Sequence, residues 1–211
     1  NHANSLLSLA GILTIGDVSA SNELGYGTHA ANPGKGVQVT SSATLGIFYL
    51  AYTAVSYLDI AANQTLAGQL NLHNNGELNI SGEGGYTGGI ELSGGKLNAV
   101  DDLTLAGTVS ISASSEIIVP TGSTLVLNQA GGLPLGANTL TLSGGGNFQS
   151  VGLDLNDPGS KLLLNSITVD SVSTSADSSG LDVDNNSSVT SLYVGHTTPV
   201  SIASGITLSG G

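Results

Sequence analysis

The side chains able to do chemistry are few, and most are carboxylates. Fifteen Asp and Glu stand against three basic residues, Lys35, Lys96 and Lys161. Acid–base cleavage of a glycosidic bond needs two carboxyl groups flanking that bond, one to protonate and one to attack or to activate water. Local pairs that qualify on spacing are Asp101 with Asp102, Asp154 with Asp157, and Asp182 with Asp184. Asp101-Asp102 sits between Val100 and Leu103, which reads as a corner turn. No catalytic partner stands near it in sequence, so a turn role is the plainer expectation. Asp182 and Asp184 alternate with Leu181 and Val183, so their side chains leave one face, and Asn185 follows. A surface Ca2+ takes about six oxygens or more. Asp182, Asp184 and Asn185 supply a few, which makes them the Ca2+ candidate, against a solvated acidic edge. The histidines His2, His29, His73 and His196 are scattered, whereas zinc needs converging ligands. No catalytic residue and no cofactor site is expected, and no metal beyond that weak Ca2+ candidate.

Composition narrows the class. The 211 residues have a formal net charge of −12, only 9% charged residues and 39% hydrophobic ones. Three lysines cannot build the basic stripe that nucleic-acid phosphates require. A structural disulfide, a thiolate metal site and a cysteine nucleophile are all excluded, because there is no cysteine. Disorder fits poorly with so many Leu, Ile and Val. Leu45–Leu58 is the longest apolar run, but it is too short and too rich in Tyr, Thr and Ser to span a bilayer. A chain that starts at Asn1 and holds no methionine reads as a processed product or an excised fragment. A cysteine-free, acidic chain rich in Gly, Ser, Asn and Thr suits an extracellular bacterial protein.

The elements that must position these residues are short strands. From Leu66 onward an apolar residue, any residue and another apolar residue recur, followed by Gly, Asn, Ser or Asp. Leu70/Leu72, Leu78/Ile80, Leu103/Leu105, Ile117/Val119, Leu140/Leu142 and Leu181/Val183 are examples. Such alternation places both apolar side chains on one face of a strand. Turn formers interrupt the strands, as at Asn74-Asn75-Gly76 and Asp157-Pro158-Gly159. Three strands of three to five residues make a coil of about twenty residues, a solenoid period. The strands are too short for a sandwich or antiparallel barrel. The predicted fold is therefore all-β: a right-handed parallel β-helix of roughly ten coils. Residues 1–61 read as an irregular N-terminal cap or first coils, and 62–211 as the regular solenoid. Leu105 should point inward and Thr104 outward.

Two regions read as contact surfaces. Phe48, Tyr49, Tyr52 and Tyr57 are concentrated in one stretch and fall on both parities, so both faces are apolar. They form either a doubly buried cap strand or a patch for another chain or a sugar ring. Ile206 and Leu208 belong to a last copy of the coil pattern with no polar cap after it. An open coil invites strand addition, so the expectation is a longer native chain or a covering subunit. Asn63-Gln64-Thr65 and Asn79-Ile80-Ser81 have the form of glycan acceptors.

Several segments share a phrase of a turn, then Thr-Leu, then small residues: Ala62–Gly68, Val119–Leu127, Leu135–Gly145 and Ile202–Gly211. These resemble coils in the passenger regions of bacterial autotransporters and filamentous-haemagglutinin-type adhesins, over about residues 62–211. The resemblance implies export, a surface or matrix location, and a part in adhesion, aggregation or filament building. It carries over no functional residues, because those families share a scaffold and not a site. Tailspike and pectin-degrading β-helices are the enzymatic alternative. The lyases among them use an Arg or Lys base beside calcium-binding acids, and this chain has no arginine. His196, in Val194-Gly195-His196-Thr197, lacks the glycine-flanked form of the polygalacturonases. The expected function is a non-enzymatic extracellular filament subunit or adhesin stalk. Its partner is itself, adjacent segments of a longer chain, or a surface glycan, with neither nucleic acid nor a transmembrane segment involved.

Overall fold

A computed structural model of the chain describes residues 6–9, 13–15, 18–20, 36–50, 55–73 and 75–210. Among them every paired strand runs parallel to its neighbour, and there is no helix. One sheet has ten strands: Leu6–Leu9, Gly36–Val39, Val55–Ile60, Glu77–Ser81, Lys96–Ala99, Ser115–Ile118, Thr139–Ser143, Lys161–Asn165, Gly180–Asn185 and Val200–Ile202. They pair in sequence order. Leu97 lies between Leu78, nineteen residues before it, and Ile117, twenty after it. Each turn of the chain therefore contributes one rung to this sheet, which defines a parallel β-solenoid.

A second, fifteen-stranded sheet completes each rung. Thr65–His73 pairs through its start with Gly85–Tyr86 and through its end with Gly89–Ser93. In the following turns these two segments are separate strands, as in Leu103–Leu105 and Val109–Ala113. They merge again in Thr168–Thr174. A typical rung thus holds three strand segments, and their inward rows meet in one core.

That core explains the apolar alternation. Leu78, Leu97, Ile117, Leu142, Leu164 and Val183 stand in successive register and are all fully buried. A single rung cannot bury such side chains, and its neighbour, about 4.8 Å away, both covers them and pairs the backbone. Leu105 is buried and Thr104 exposed, as their parity requires. Polar side chains also stack: the Asn98 amide donates to Asn79 Oδ1 at 2.7 Å, and the Asn185 amide donates to Asn165 Oδ1. Asn79 is itself buried, which removes it as a glycan acceptor.

Two features differ from the sequence expectation. Turn length varies more than the expected coil of about twenty residues allows. Leu6 to Gly36 takes 30 residues and Ser115 to Leu140 takes 25. Strands also reach nine residues, in Thr65–His73, where three to five were expected. Gly68, at φ +125° in that strand, lets the backbone bend through a corner without leaving the ladder. The parallel stacking includes Gly36–Val39 and Val55–Ile60, which join the same sheet as the later strands.

Candidate functional site

Asp101 and Asp102 lie at the corner between Lys96–Ala99 and Leu103–Leu105. Asp101 Oδ2 accepts the Gly82 N–H at 3.0 Å, one rung back. Asp102 Oδ1 accepts the Thr124 N–H at 2.8 Å, one rung forward. Between them the Ser123 hydroxyl donates to the Val100 carbonyl at 3.0 Å. A corner leaves backbone N–H groups without ladder partners, and a short acidic side chain is the nearest acceptor. The pair thus binds three consecutive rungs together.

The same corner forms the floor of an open groove of about 1010 Å³, lined among others by Glu83, Gly85, Asp102, Thr104, Ser123 and Val126. Gly84, Gly85 and Gly122 also line it. Glu83, Asp101 and Asp102 are exposed along it, so it offers carboxylates and hydroxyls but no cation. What it can do chemically is receive a polar, hydroxylated or positively charged chain.

The carboxylates of the other two pairs are engaged in different ways. Asp154 Oδ2 accepts from the Ser175 hydroxyl at 2.8 Å, one rung on. Asp157 Oδ1 takes the Gly159 N–H at 2.8 Å and closes its own turn, so the two acids belong to different local structures. Asp182 pairs with Lys161 Nζ at 2.6 Å. Asp184 is exposed, and the Asn185 amide is engaged with Asn165. The Ca2+ candidate is thereby divided between an ion pair, an asparagine ladder and open solvent. No group of three His, Cys, Asp or Glu able to hold a metal occurs among the described residues. Asp177 accepts the Thr197 N–H at 2.8 Å, which holds its carboxyl below the usual range. Lys96 reaches Glu116 at 3.0 Å, and that bond, with Glu77 adding to it, raises the lysine above its usual value.

The expected contact residues are not equivalent. Phe48 is fully buried in the strand Ala43–Leu50 and stacks on Leu70. Tyr57 is half-buried in Val55–Ile60, next to Asn79. Tyr49 lies in the Phe48 strand beside Asn71, and Tyr52 lies outside the described residues. Ile206 and Leu208 are half-buried and pack against the core at the last rung. Of the histidines, His73 ends Thr65–His73 and His196 stands in a turn at φ 59°. His2 and His29 lie outside the described residues.

Two features escaped the sequence reading. Tyr86 is a core residue whose hydroxyl donates to the Gly68 carbonyl at 2.6 Å, and burial pushes its phenol well above the ordinary range. Gly68, Gly88 and Gly107 stack on one another at a corner. Their spacing, near one solenoid period, was the available signal.

The geometry defines a class, the parallel β-solenoids whose polar side chains close corners between rungs. In comparison with known proteins, no family model, curated protein or solved structure matches the chain. No helix among the described residues is long and apolar enough to cross a membrane.

Proposed function

We propose that the chain is a non-enzymatic extracellular structural protein, a filament subunit or adhesin stalk of a bacterial surface or biofilm matrix. The work is mechanical. Stacked rungs make a stiff rod, about 40 Å long for about eight turns at the spacing of paired strands. The rod's free edges and exposed apolar positions join it to another copy, or to adjacent segments of a longer polypeptide. The observation that carries this reading is the use made of the acids. Asp101, Asp102 and Asp154 each bond to a neighbouring rung, Asp157 to its own turn and Asp182 to a lysine. The composition and the resemblance to surface adhesins support the location. Negative-stain images of the purified chain at micromolar concentration test it. Fibres are expected, and single particles that instead bind a glycan would sink it.

A carbohydrate-binding or carbohydrate-cleaving β-helix is the second reading. The open groove beside Glu83, Asp101 and Asp102 is the observation in its favour. Release of reducing sugar from an acidic polysaccharide by the wild-type chain, lost in Glu83→Gln, would replace the first reading with this one.

A further inference from the structure

The turn at residues 156–160 joins Leu153–Leu155 to Lys161–Asn165 and holds the only Asp-Pro bond in the sequence, Asp157-Pro158. Such a bond has a weakness of its own. The Asp carboxylate reaches its own main-chain carbonyl carbon by closing a five-membered ring, and the departing proline nitrogen becomes a basic secondary amine. The turn supplies the rest. The Asp157 carbonyl oxygen accepts the Ser160 N–H at 2.8 Å, a donor placed where negative charge develops when that carbon is attacked. The Ser160 hydroxyl accepts the Asp157 N–H at 2.8 Å, and Ser160 is fully buried, which anchors the turn. Asp157 Oδ1 accepts the Gly159 N–H at 2.8 Å, which folds the side chain back along the Asp157-Pro158 bond. Pro158 and Gly159 are exposed, so water and acid reach the site.

We propose that Asp157-Pro158 is a self-cleavage site, at which mild acid nicks the chain without opening the rod. A carboxylate oxygen of Asp157 bonds to its own carbonyl carbon, the C–N bond to Pro158 breaks, and the proline nitrogen leaves with a proton taken from solvent. The cyclic anhydride left on Asp157 is opened by water to two carboxyl groups. The products are residues 1–157 and 158–211. Both sides of the cut are tied to neighbouring rungs. Asn156 Oδ1 accepts the Gly136 N–H at 2.9 Å, and the Ser160 hydroxyl donates to the Gly136 carbonyl at 2.7 Å, one rung back. The Ser179 hydroxyl donates to the Pro158 carbonyl at 2.8 Å, one rung on. Leu153–Leu155 and Lys161–Asn165 each pair with a strand on either side, so the two pieces stay in register. The stretches packed on this corner, 136–138 behind and 178–180 ahead, carry no titratable side chain. The charged groups beside them are Asp154, bonded to the Ser175 hydroxyl, Lys161, paired with Asp182, and Asp177, which accepts the Thr197 N–H.

Incubation of the full chain for several days tests this, near pH 3 or at the lowest pH that keeps its native circular dichroism spectrum. Intact mass and denaturing gels are expected to show the two pieces, with Pro158 as the new N-terminus. Gel filtration of the same sample should give the size of the uncut chain, the pieces parting only in urea. Asp157→Asn keeps an oxygen for the Gly159 N–H but has no attacking carboxylate, and it should stay whole. Pro158→Ala should be cut far more slowly, because its departing nitrogen is less basic. The contribution of the turn is read against the same chain unfolded in urea at the same pH. The folded chain is expected to split about tenfold faster or more, whereas a bond that is labile by composition alone would split at least as fast when unfolded. A folded rate no higher than the unfolded one, wild-type scission of Asp157→Asn, or an intact wild type would overturn the self-cleavage site. Pieces that part without denaturant would overturn the nicked rod.

Discussion

Ser56 stands in register with Leu78, fully buried, and its hydroxyl has no hydrogen-bond partner among the described residues. A buried polar group left unpaired costs about 1–3 kcal/mol. Ser56→Ala is therefore expected to raise stability by about 1 kcal/mol, once the lost packing of the oxygen is set against that relief. The midpoint of urea unfolding measures it, and an unchanged or lower midpoint would show that the hydroxyl is satisfied. Lys96 makes a pH prediction. Its folded value is raised by the bond to Glu116 and by the Glu116 and Glu77 charges, with partial desolvation opposing. The stability it adds is fully present below the unfolded lysine value, about 10.4, and is lost as pH rises through the higher folded value. Glu116→Gln removes both the bond and its charge. The wild type should thus lose more melting temperature than this variant between pH 9 and pH 12, and parallel losses would contradict the assignment. The pair is part-exposed, so the effect is small.

The element that decides the shape of the cross-section is the glycine corner. A Cβ on Gly88 would stand 1.7 Å from the Gly68 carbonyl oxygen, and one on Gly107 would stand 1.8 Å from that of Gly88. Both contacts are with backbone, which cannot rotate aside. Gly88→Ala is therefore expected to cost about 3 kcal/mol or more through forced backbone movement. Gly122→Ala meets nothing within 4 Å but keeps a φ of +91°, so it should cost only about 1–2 kcal/mol of conformational strain. Equal urea midpoints for the two would refute the stacking argument. This corner also marks where the sequence stops being readable. Leu97, Leu105 and Leu142 announce themselves by alternation, because burial on one side of a strand is a local property with a period of two. Asp101-Asp102 was readable as a turn because its flanking apolar residues stop there. Which rung each carboxylate would bond, Gly82 behind or Thr124 ahead, was not readable, because that depends on contacts about twenty residues apart. The nine-residue strand Thr65–His73 was missed for the same reason. Gly68 looks like a strand breaker until the rungs on either side hold it in the ladder.

On the scale of the whole molecule, packing contacts reach only the neighbouring rung, whereas the charges also act over longer distances. Rung contacts are short-ranged and stack along one axis, so packing energy accumulates turn by turn. The surface charge acts across turns, and it is one-sided: fifteen acids against three lysines. Two of those lysines are already committed to the pairs Lys96–Glu116 and Lys161–Asp182, while Glu83, Asp101, Asp102 and Asp184 are exposed. Salt acts on both kinds of interaction. It screens the attraction within the exposed pairs, which are worth about 0–1 kcal/mol each. It also screens the repulsion among the remaining acids, which lie on rungs about 4.8 Å apart and so fall within a Debye length of about 30 Å at 0.01 M. At 1 M that length falls to about 3 Å. Repulsion involves many more partners than attraction, so its loss dominates. The melting temperature is therefore expected to rise as NaCl increases from 0.01 M to 0.5 M, and assembly should strengthen with it. The rise should be smaller for a chain in which Glu83, Asp102 and Asp184 are replaced by the neutral amides. A melting temperature that falls with salt would mean that the ion pairs outweigh the acidic surface in holding the rungs together.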